Sequence, residues 1–285
     1  MFLNKNKWVF DKEHSFYTDS ENTVSTAFSA DQQNGLLALE DDSWWFSYRA
    51  QVIIGKMDRF FDRSKLTLDI GGGNGYTSGR AQKEGYRIGL VEPSWSACMN
   101  AKRRGIETVC CGSVTDDSIL DSSVDQMLLL DVLEHIKDDR SFLRLLRKKL
   151  KRKGLILITV PAFMCLWSSE DDEAGHFRRY RIREISSLLR ECGFRIRYKS
   201  YFMSFLFVPI LLIRVMLEKL GILKPQQERS SEEKEKIAKS QFRSRKGIVD
   251  IALGIFERFE AKLMEKNDLV PFGSSIIIIA QKNKE

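Results

Sequence analysis

Leu66-Thr67-Leu68-Asp69-Ile70-Gly71-Gly72-Gly73-Asn74-Gly75 decides how the rest of the chain is read. Leu66, Leu68 and Ile70 make a short apolar run that ends beside a carboxylate and then a burst of glycine. Such a run reads as a buried parallel strand entering a tight loop. Tyr76 to Lys83 can open a helix behind it, whose free N–H groups point at whatever occupies the loop. Glycine serves twice here, by allowing positive φ and by letting a ligand approach bare backbone. A phosphate-binding Walker loop needs a Lys-Ser/Thr pair that does not follow. A dinucleotide loop of the form G-x-G-x-x-G needs glycine at position 76, which is Tyr76.

What remains is D-x-G-x-G-x-G, carried by Asp69, Gly71, Gly73 and Gly75. It resembles the first motif of class I S-adenosylmethionine (SAM)-dependent methyltransferases. Arg87-Ile88-Gly89-Leu90-Val91 then leads to Glu92. An acid at the tip of the second strand, about 20 residues past the glycine loop, can accept both hydroxyls of a ribose, and SAM carries one. Ser96 to Arg104 reads as a helix with Ser94 as N-cap, and Glu107-Thr108-Val109-Cys110 as the third strand. Many class I methyltransferases place an acid just after it against the adenine. Here Ser113 stands there, with Asp116 and Asp117 slightly later.

Val124 to Leu130 is the fourth strand. Asp131-Val132-Leu133-Glu134-His135 follows its carboxyl end, where open α/β sheets bind ligands. The segment resembles the "vLEH" stretch of small-molecule methyltransferases, which implies that Leu130 and Asp131 line the methyl-donor site. His135 reads either as a base or as an anchor of the strand–helix turn. Phe142, Leu143, Leu145, Leu146 and Leu150 give the next helix its apolar face. The basic run Arg144, Arg147 to Lys149 and Lys151 to Lys153 suits a solvated helix C-terminus closed by Gly154. Leu155 to Val160 is the fifth strand.

The loop after it is dense in chemistry. Phe163 and Trp167 can wall a substrate, and His176 can take a proton from a hydroxyl or amine. Arg178 and Arg179 can hold a phosphate or carboxylate, and Tyr180 can orient the nucleophile. The alternative is that His176 and one arginine brace the loop. His176-Phe177-Arg178-Arg179-Tyr180, a helix over Ile182–Cys192 and Gly193-Phe194 together resemble a subgroup of bacterial, type 11-like small-molecule methyltransferases. With this, the resemblance spans roughly residues 40–200.

Upstream, residues 1–35 are polar with scattered aromatics, Trp8, Phe10, Phe16, Tyr17 and Phe28 among them, and read as an irregular arm or lid. Trp44 to Phe61 has helical spacing. It packs as an amphipathic helix or roofs the pocket, with Trp45 facing the sulfonium and Arg49 reaching the cofactor carboxylate. Downstream, Phe194 to Tyr198 alternates as the sixth strand, and Ser275 to Ala280 is the candidate for the seventh. The insert between them opens with an uncharged run, Tyr201 to Ile213, short of the roughly 20 residues that span a bilayer. It reads as buried helix or as an interfacial anchor. Glu228 to Lys246 is highly charged and reads as mobile, and Ile248 to Leu263 recurs at helical spacing.

The expected fold is α/β: a Rossmann-like class I methyltransferase with a seven-stranded, mostly parallel sheet and helices on both faces. Residues 1–62 form an arm and helical cap, 63–200 the SAM-binding core, 201–270 a helical insert and 271–285 the last strand. The chain has 285 residues and a net charge of +7. This suits an anionic acceptor or an acidic membrane surface and does not demand nucleic acid. No secretory signal is read at the start. Five cysteines at 98, 110, 111, 165 and 192, with no C-x-x-C, point to reduced thiols in a cytosolic compartment, against the inner membrane surface on the anchor reading, and away from a zinc site. No metal is expected, and no signal sets an oligomeric state. The expected activity is methyl transfer from SAM to an oxygen or nitrogen of a small or lipid- or glycan-linked acceptor. The alternatives are a SAM-binding or membrane-associated protein that has lost catalysis, and an NAD-dependent oxidoreductase, which Tyr76 disfavours.

Overall fold

The computed structural model describes residues 2–19, 37, 39–217, 220–222, 248–266 and 269–283. Phe28 and the charged stretch Glu228 to Lys246 lie outside them. The sheet is built on β3 (Leu66–Ile70), β4 (Arg87–Glu92), β5 (Thr108–Cys111), β6 (Val124–Leu130) and β7 (Leu150–Pro161), all parallel. β8 (Phe194–Phe202) and β9 (Ser275–Lys282) complete it, with β9 antiparallel to both β7 and β8. Across these seven the order is β5-β4-β3-β6-β7-β9-β8. The order reverses direction between β3 and β6, which opens a crevice at their carboxyl ends.

Two further strands extend the sheet. β1 (Trp8–Asp11) and β2 (Phe16–Asp19) form a hairpin, and β2 lies parallel to β5. The beginning of the chain is therefore not the irregular arm that its sequence suggests. Phe16 is fully buried, and the Trp8 indole donates from Nε1 to the Ser118 carbonyl at 2.6 Å. A Cβ on Gly112 would sit 3.0 Å from the Trp8 ring, so that glycine makes room for the hairpin.

Helices cover both faces. α1 (Trp44–Phe60) is N-capped by Ser43, whose hydroxyl accepts from Phe46 N at 3.5 Å. It buries Val52, Ile53 and Met57 against Leu128, Leu157, Ile277 and Ile279. On the opposite face α4 (Asp139–Lys149) and α6 (Ile182–Glu191) place Leu143, Leu146, Ile185 and Leu189 over Met127, Ile156, Ile276 and Ile278. The unbroken isoleucine run of β9 follows from this: both of its faces are covered. Between these lie α2 (Tyr76–Lys83) and α3 (Trp95–Arg103), with Ser94 capping α3 by accepting from Ala97 N at 3.4 Å. α5 (Ser169–Ala174) sits in the loop after β7.

The basic run after α4 is not one solvated helix end. The helix stops at Lys149, and Lys151 to Lys153 lie on the first residues of β7. Lys149 is buried, donating to the Asp116 carbonyl and, at 2.8 Å, to Asp121 Oδ1. Gly154 packs on β6 instead of ending a helix; a Cβ there would lie 3.0 Å from the Asp125 carbonyl. The insert starts later than the apolar run suggests, because β8 continues through Phe202. After it come α7 (Ser204–Pro209), a π-helical turn (Ile210–Met216) and α8 (Ile248–Glu265). Among the described residues no helix is long and apolar enough to cross a membrane.

Candidate functional site

The crevice beside β3 holds a cavity of about 570 Å3. Its floor is the glycine loop. Gly71, Gly73 and Gly75 have φ of +70°, +54° and +74°, a region that L side chains rarely enter. Their surroundings differ. A Cβ on Gly71 would meet Val132 at 2.6 Å, and one on Gly75 would meet Ile106 at 2.5 Å. A Cβ on Gly73 would meet nothing within 4 Å, so this residue presents bare backbone to open space. Gly75 caps α2 and packs on Ile106; it does not line the cavity.

Two acids stand beside the loop. Glu92 accepts from Gly73 N at 3.0 Å through Oε2 and from Ser94 N at 2.9 Å through Oε1. Those bonds fix the carboxylate at the cavity wall and leave each oxygen a lone pair. Burial pushes its pKa up, and the two backbone bonds oppose that. Asp69 is buried; Ser78 Oγ donates to Oδ2 at 2.7 Å, while Oδ1 has no partner among the described residues. Burial pushes its carboxyl up to about 7. An open backbone cradle, a fixed acid on the wall and an unpartnered buried carboxylate oxygen fit a ligand with an ammonium group at one end and a ribose at the other. SAM is such a ligand.

The Asp69 shift has a consequence for stability. Its folded pKa lies above the unfolded value of 3.8, so its contribution is complete below about pH 4 and is lost as pH rises through about 7. The loss is at most about 4 kcal/mol. Thermal melts without ligand should show that Asp69→Asn removes this slope between pH 4 and 7. An unchanged slope in the variant would show that Asp69 is not its source.

The other end of the cavity is built by β6 and α1. Asp131 lines it with φ +54°. Its N–H donates to the Thr159 carbonyl at 3.0 Å, and its carboxylate pairs with Arg49. Arg49 also donates to Thr159 Oγ1 at 2.6 Å, and its guanidinium lies 5.2 and 5.4 Å from the ring centroids of Trp45 and Phe202. Arg49 thus lines the cavity, but its Nη2 is engaged with Asp131 and Thr159 and not set aside for a cofactor carboxylate. Trp45, Leu130, Ser113 and His135 also line the cavity. Asp116 and Asp117 do not, so of the three residues weighed for the adenine contact only Ser113 lines the cavity. Burial and the neighbouring His176 push His135 down to about 4.

Residues of the loop after β7 are not in the cavity lining. Phe163 stacks on Tyr201 at 4.9 Å, and Trp167 Nε1 donates to Asp172 at 3.0 Å. Arg179 grips Asp171 at 2.8 and 2.9 Å, and His176 Nδ1 meets the same carboxylate at 2.8 Å. Arg178 and Tyr180 converge on Asp139 at 2.6 and 2.9 Å. The positive charges read as free for substrate are met by acids, one inside the loop and one on α4. His176 stands behind His135, ring centroids 4.7 Å apart.

Two wall residues had no clear mark in the sequence. Glu40 accepts from Asn74 at 3.1 Å and from Arg104 at 2.7 Å, and so ties the cap segment to the glycine loop. Tyr76, whose place in the sequence counts against a dinucleotide, lines the cavity itself. The only signal for Glu40 was its place in an acidic triplet ahead of a helix.

A family profile described as "Methyltransferase domain" matches residues 45–199, more than half of the chain. A Mycolicibacterium smegmatis protein named "Probable S-adenosylmethionine-dependent methyltransferase" is 23% identical over 182 residues, 62% of this chain and 70% of that one. A Mycobacterium tuberculosis protein of the same description is 25% identical over 55% of this chain, which spans only 57% of it. Haemonchus contortus phosphoethanolamine N-methyltransferase 2, solved with phosphomonomethylethanolamine and S-adenosylhomocysteine, aligns with a TM-score of 0.58 at 15% identity. That alignment covers 92% of this chain and 61% of the other. With the profile laid over this sheet order and this glycine-floored cavity, the chain belongs to the methyltransferase domain family and is a class I enzyme that uses S-adenosylmethionine.

Proposed function

We propose that the chain methylates an oxygen or nitrogen of a small amphipathic acceptor, of the lipid-linked or glycan-linked kind. The observation that carries this reading is one cavity with the glycine loop and Glu92 at one end and Asp131 and His135 at the other. Bound SAM supplies a methyl group on a sulfonium, already an activated leaving group. The chain's own part is alignment and exclusion of water. The Gly71–Gly73 backbone and Asp69 hold the amino-acid end, and Glu92 takes the ribose hydroxyls. Trp45 offers an aromatic face near the positive charge. Asp131 and His135 face the remaining space, and the Asp131 carboxylate can take a proton from the acceptor. Calorimetric titration with S-adenosylhomocysteine tests the arrangement. Glu92→Ala should weaken binding by about 10- to 100-fold, the loss of hydrogen bonds to a charged group; undiminished affinity would remove Glu92 from the site.

The lipid part of the reading rests on the insert. Val208, Leu212, Ile255, Phe256, Phe259 and Phe272 are 47–62% exposed. Exposed large apolar side chains on α7, the turn after it and α8 support an interaction surface, and the net charge of +7 favours an anionic one. Most of the protein should sediment with phosphatidylglycerol vesicles at low salt, and Phe256→Glu with Phe259→Glu should return it to the supernatant. Wild type that stays in the supernatant would end this part of the proposal and leave methyl transfer to a soluble acceptor.

A further inference from the structure

The turn after β6 and the loop after β7 meet in a cluster that methyl transfer leaves without a full account. Glu134 and His135 belong to the 3-10 turn Leu133–His135, and His176 follows α5. Phe177 N donates to the Glu134 carbonyl at 2.8 Å, which joins the two segments beside these side chains. One ligand atom from each of Glu134, His135 and His176 lies within 4.8 Å of the other two. Glu134 is 1% exposed, and no hydrogen bond from another described residue reaches either carboxylate oxygen. A buried carboxylate in that condition calls for a cation or a proton.

His176 is prepared as a ligand. Its Nδ1 lies 2.8 Å from Asp171 Oδ1, and Asp171 is held by Arg179 at 2.8 and 2.9 Å and by Ser168 N at 3.0 Å. A carboxylate gripped by arginine accepts, so Nδ1 carries the hydrogen and Nε2 keeps its lone pair. A carboxylate behind an imidazole fixes its tautomer and raises its basicity toward a metal.

We propose that Glu134, His135 and His176 bind a divalent transition-metal ion, with Asp171 orienting His176 from behind. Two imidazoles and a carboxylate suit Zn2+, Fe2+ or Mn2+ better than Mg2+ or Ca2+. Bonds of about 2.1 Å to a tetrahedral ion set ligand atoms about 3.4 Å apart, so closure by roughly an ångström completes the site. Three protein ligands leave a coordination position open. His135 lines the cavity, so that position lies toward the acceptor end. Resting on the methyl-transfer reading, the ligand taken there would be an acceptor hydroxyl, whose acidity the ion would raise; its proton would pass to the Asp131 carboxylate, which lines the same cavity, as the oxygen takes the methyl group and S-adenosylhomocysteine is released.

The test uses the untagged full chain, stripped with chelator, and Co2+ and Zn2+ themselves as probes. Wild type should bind one Co2+ per chain with visible d–d absorption, and one Zn2+ by equilibrium dialysis and elemental analysis. Glu134→Gln and His176→Gln should each weaken binding at least about tenfold. The chain has three histidines, and the third, His14, is engaged with Asp11 at the hairpin. His14→Ala should therefore bind Co2+ as wild type does and keep two paramagnetically shifted imidazole N–H resonances. That measurement decides the assignment even if the ligand variants fail to fold, which S-adenosylhomocysteine titration reports separately. No stoichiometric Co2+ or Zn2+ binding by a wild type that binds S-adenosylhomocysteine overturns the proposal. Binding unchanged in both ligand variants, or resonances lost in His14→Ala, overturns it too. Metal binding by a protein that fails to bind S-adenosylhomocysteine would uphold the site and count against the methyl-transfer reading instead.

Discussion

Gly73→Arg will lower affinity for S-adenosylhomocysteine by more than about 100-fold, about 3 kcal/mol, while the protein still folds. The two halves of that result have different causes. The space over Gly73 is empty of protein to 4 Å, so an arginine side chain clashes with no wall and fills the volume a ligand needs. The conformational penalty is limited: φ of +54° disfavours a side chain by about 1–2 kcal/mol, a few degrees of melting temperature in a chain of this size. Gly71→Ala and Gly75→Ala provide the contrast. Their added methyl groups run into Val132 and Ile106 at 2.6 and 2.5 Å, so they should damage folding before they damage binding. Calorimetry and thermal melts on the three proteins separate the cases. Retained micromolar binding in a folded Gly73→Arg protein would put the ligand elsewhere.

That contrast also marks what sequence can convey. The spacing of Asp69, Gly71, Gly73 and Gly75 exposes the loop, because few structures need so many glycines after an apolar strand. It cannot say which glycine faces a ligand and which faces Ile106, since that depends on where α3 and the loop after it pack. Glu92 and Asp131 are legible for a similar reason: each ends an apolar strand, and parallel strands bring their carboxyl ends to one crevice. The loop after β7 is harder to read. His176, Arg178, Arg179 and Tyr180 look like a binding set on paper because their partners Asp171 and Asp139 are indistinguishable from solvated acids in a sequence. Once Asp139 sits at the start of α4 and Asp171 within α5, Arg178, Arg179 and Tyr180 are paired with these acids, and His176 is oriented by one of them. The β1–β2 hairpin escapes notice because four-residue strands give too little alternation to count. Its anchor, Trp8 over Gly112, is a contact between distant parts of the chain. Glu134 and His176 are likewise far apart in sequence, and only the turn after β6 makes them neighbours.

Glu260→Ala will be strongly destabilising, lowering stability by about 3–5 kcal/mol through several buried donors left unpaired and the melting temperature by roughly 10 °C. Glu260 is 3% exposed on α8 and gathers donors from two distant elements. Tyr48 on α1 donates at 2.5 Å, and the backbone N–H groups of Met203 and Ser204 each donate at 2.7 Å. The Ser204 hydroxyl adds a further short bond. Met203 has φ +56°, so the corner between β8 and α7 adopts a backbone that needs support, and the carboxylate provides it. Alanine leaves these donors buried and unpaired. Glu260→Gln should recover little, because one of its two acceptor oxygens becomes an NH2 group facing other donors. Tyr48→Phe removes one donor and leaves the rest, a loss of about 1 kcal/mol. The order of melting temperatures should therefore be wild type, Tyr48→Phe, Glu260→Gln, Glu260→Ala. The effect reaches the cavity, because Tyr48 is next to Arg49 on the helix that pairs with Asp131. A loosened α1 should weaken S-adenosylhomocysteine binding several-fold in Glu260→Ala, with no substituted residue touching the ligand. A Glu260→Ala protein that melts within about 2 °C of wild type, under 1 kcal/mol in a chain of this size, would show that the insert is held by its apolar contacts and not by this carboxylate.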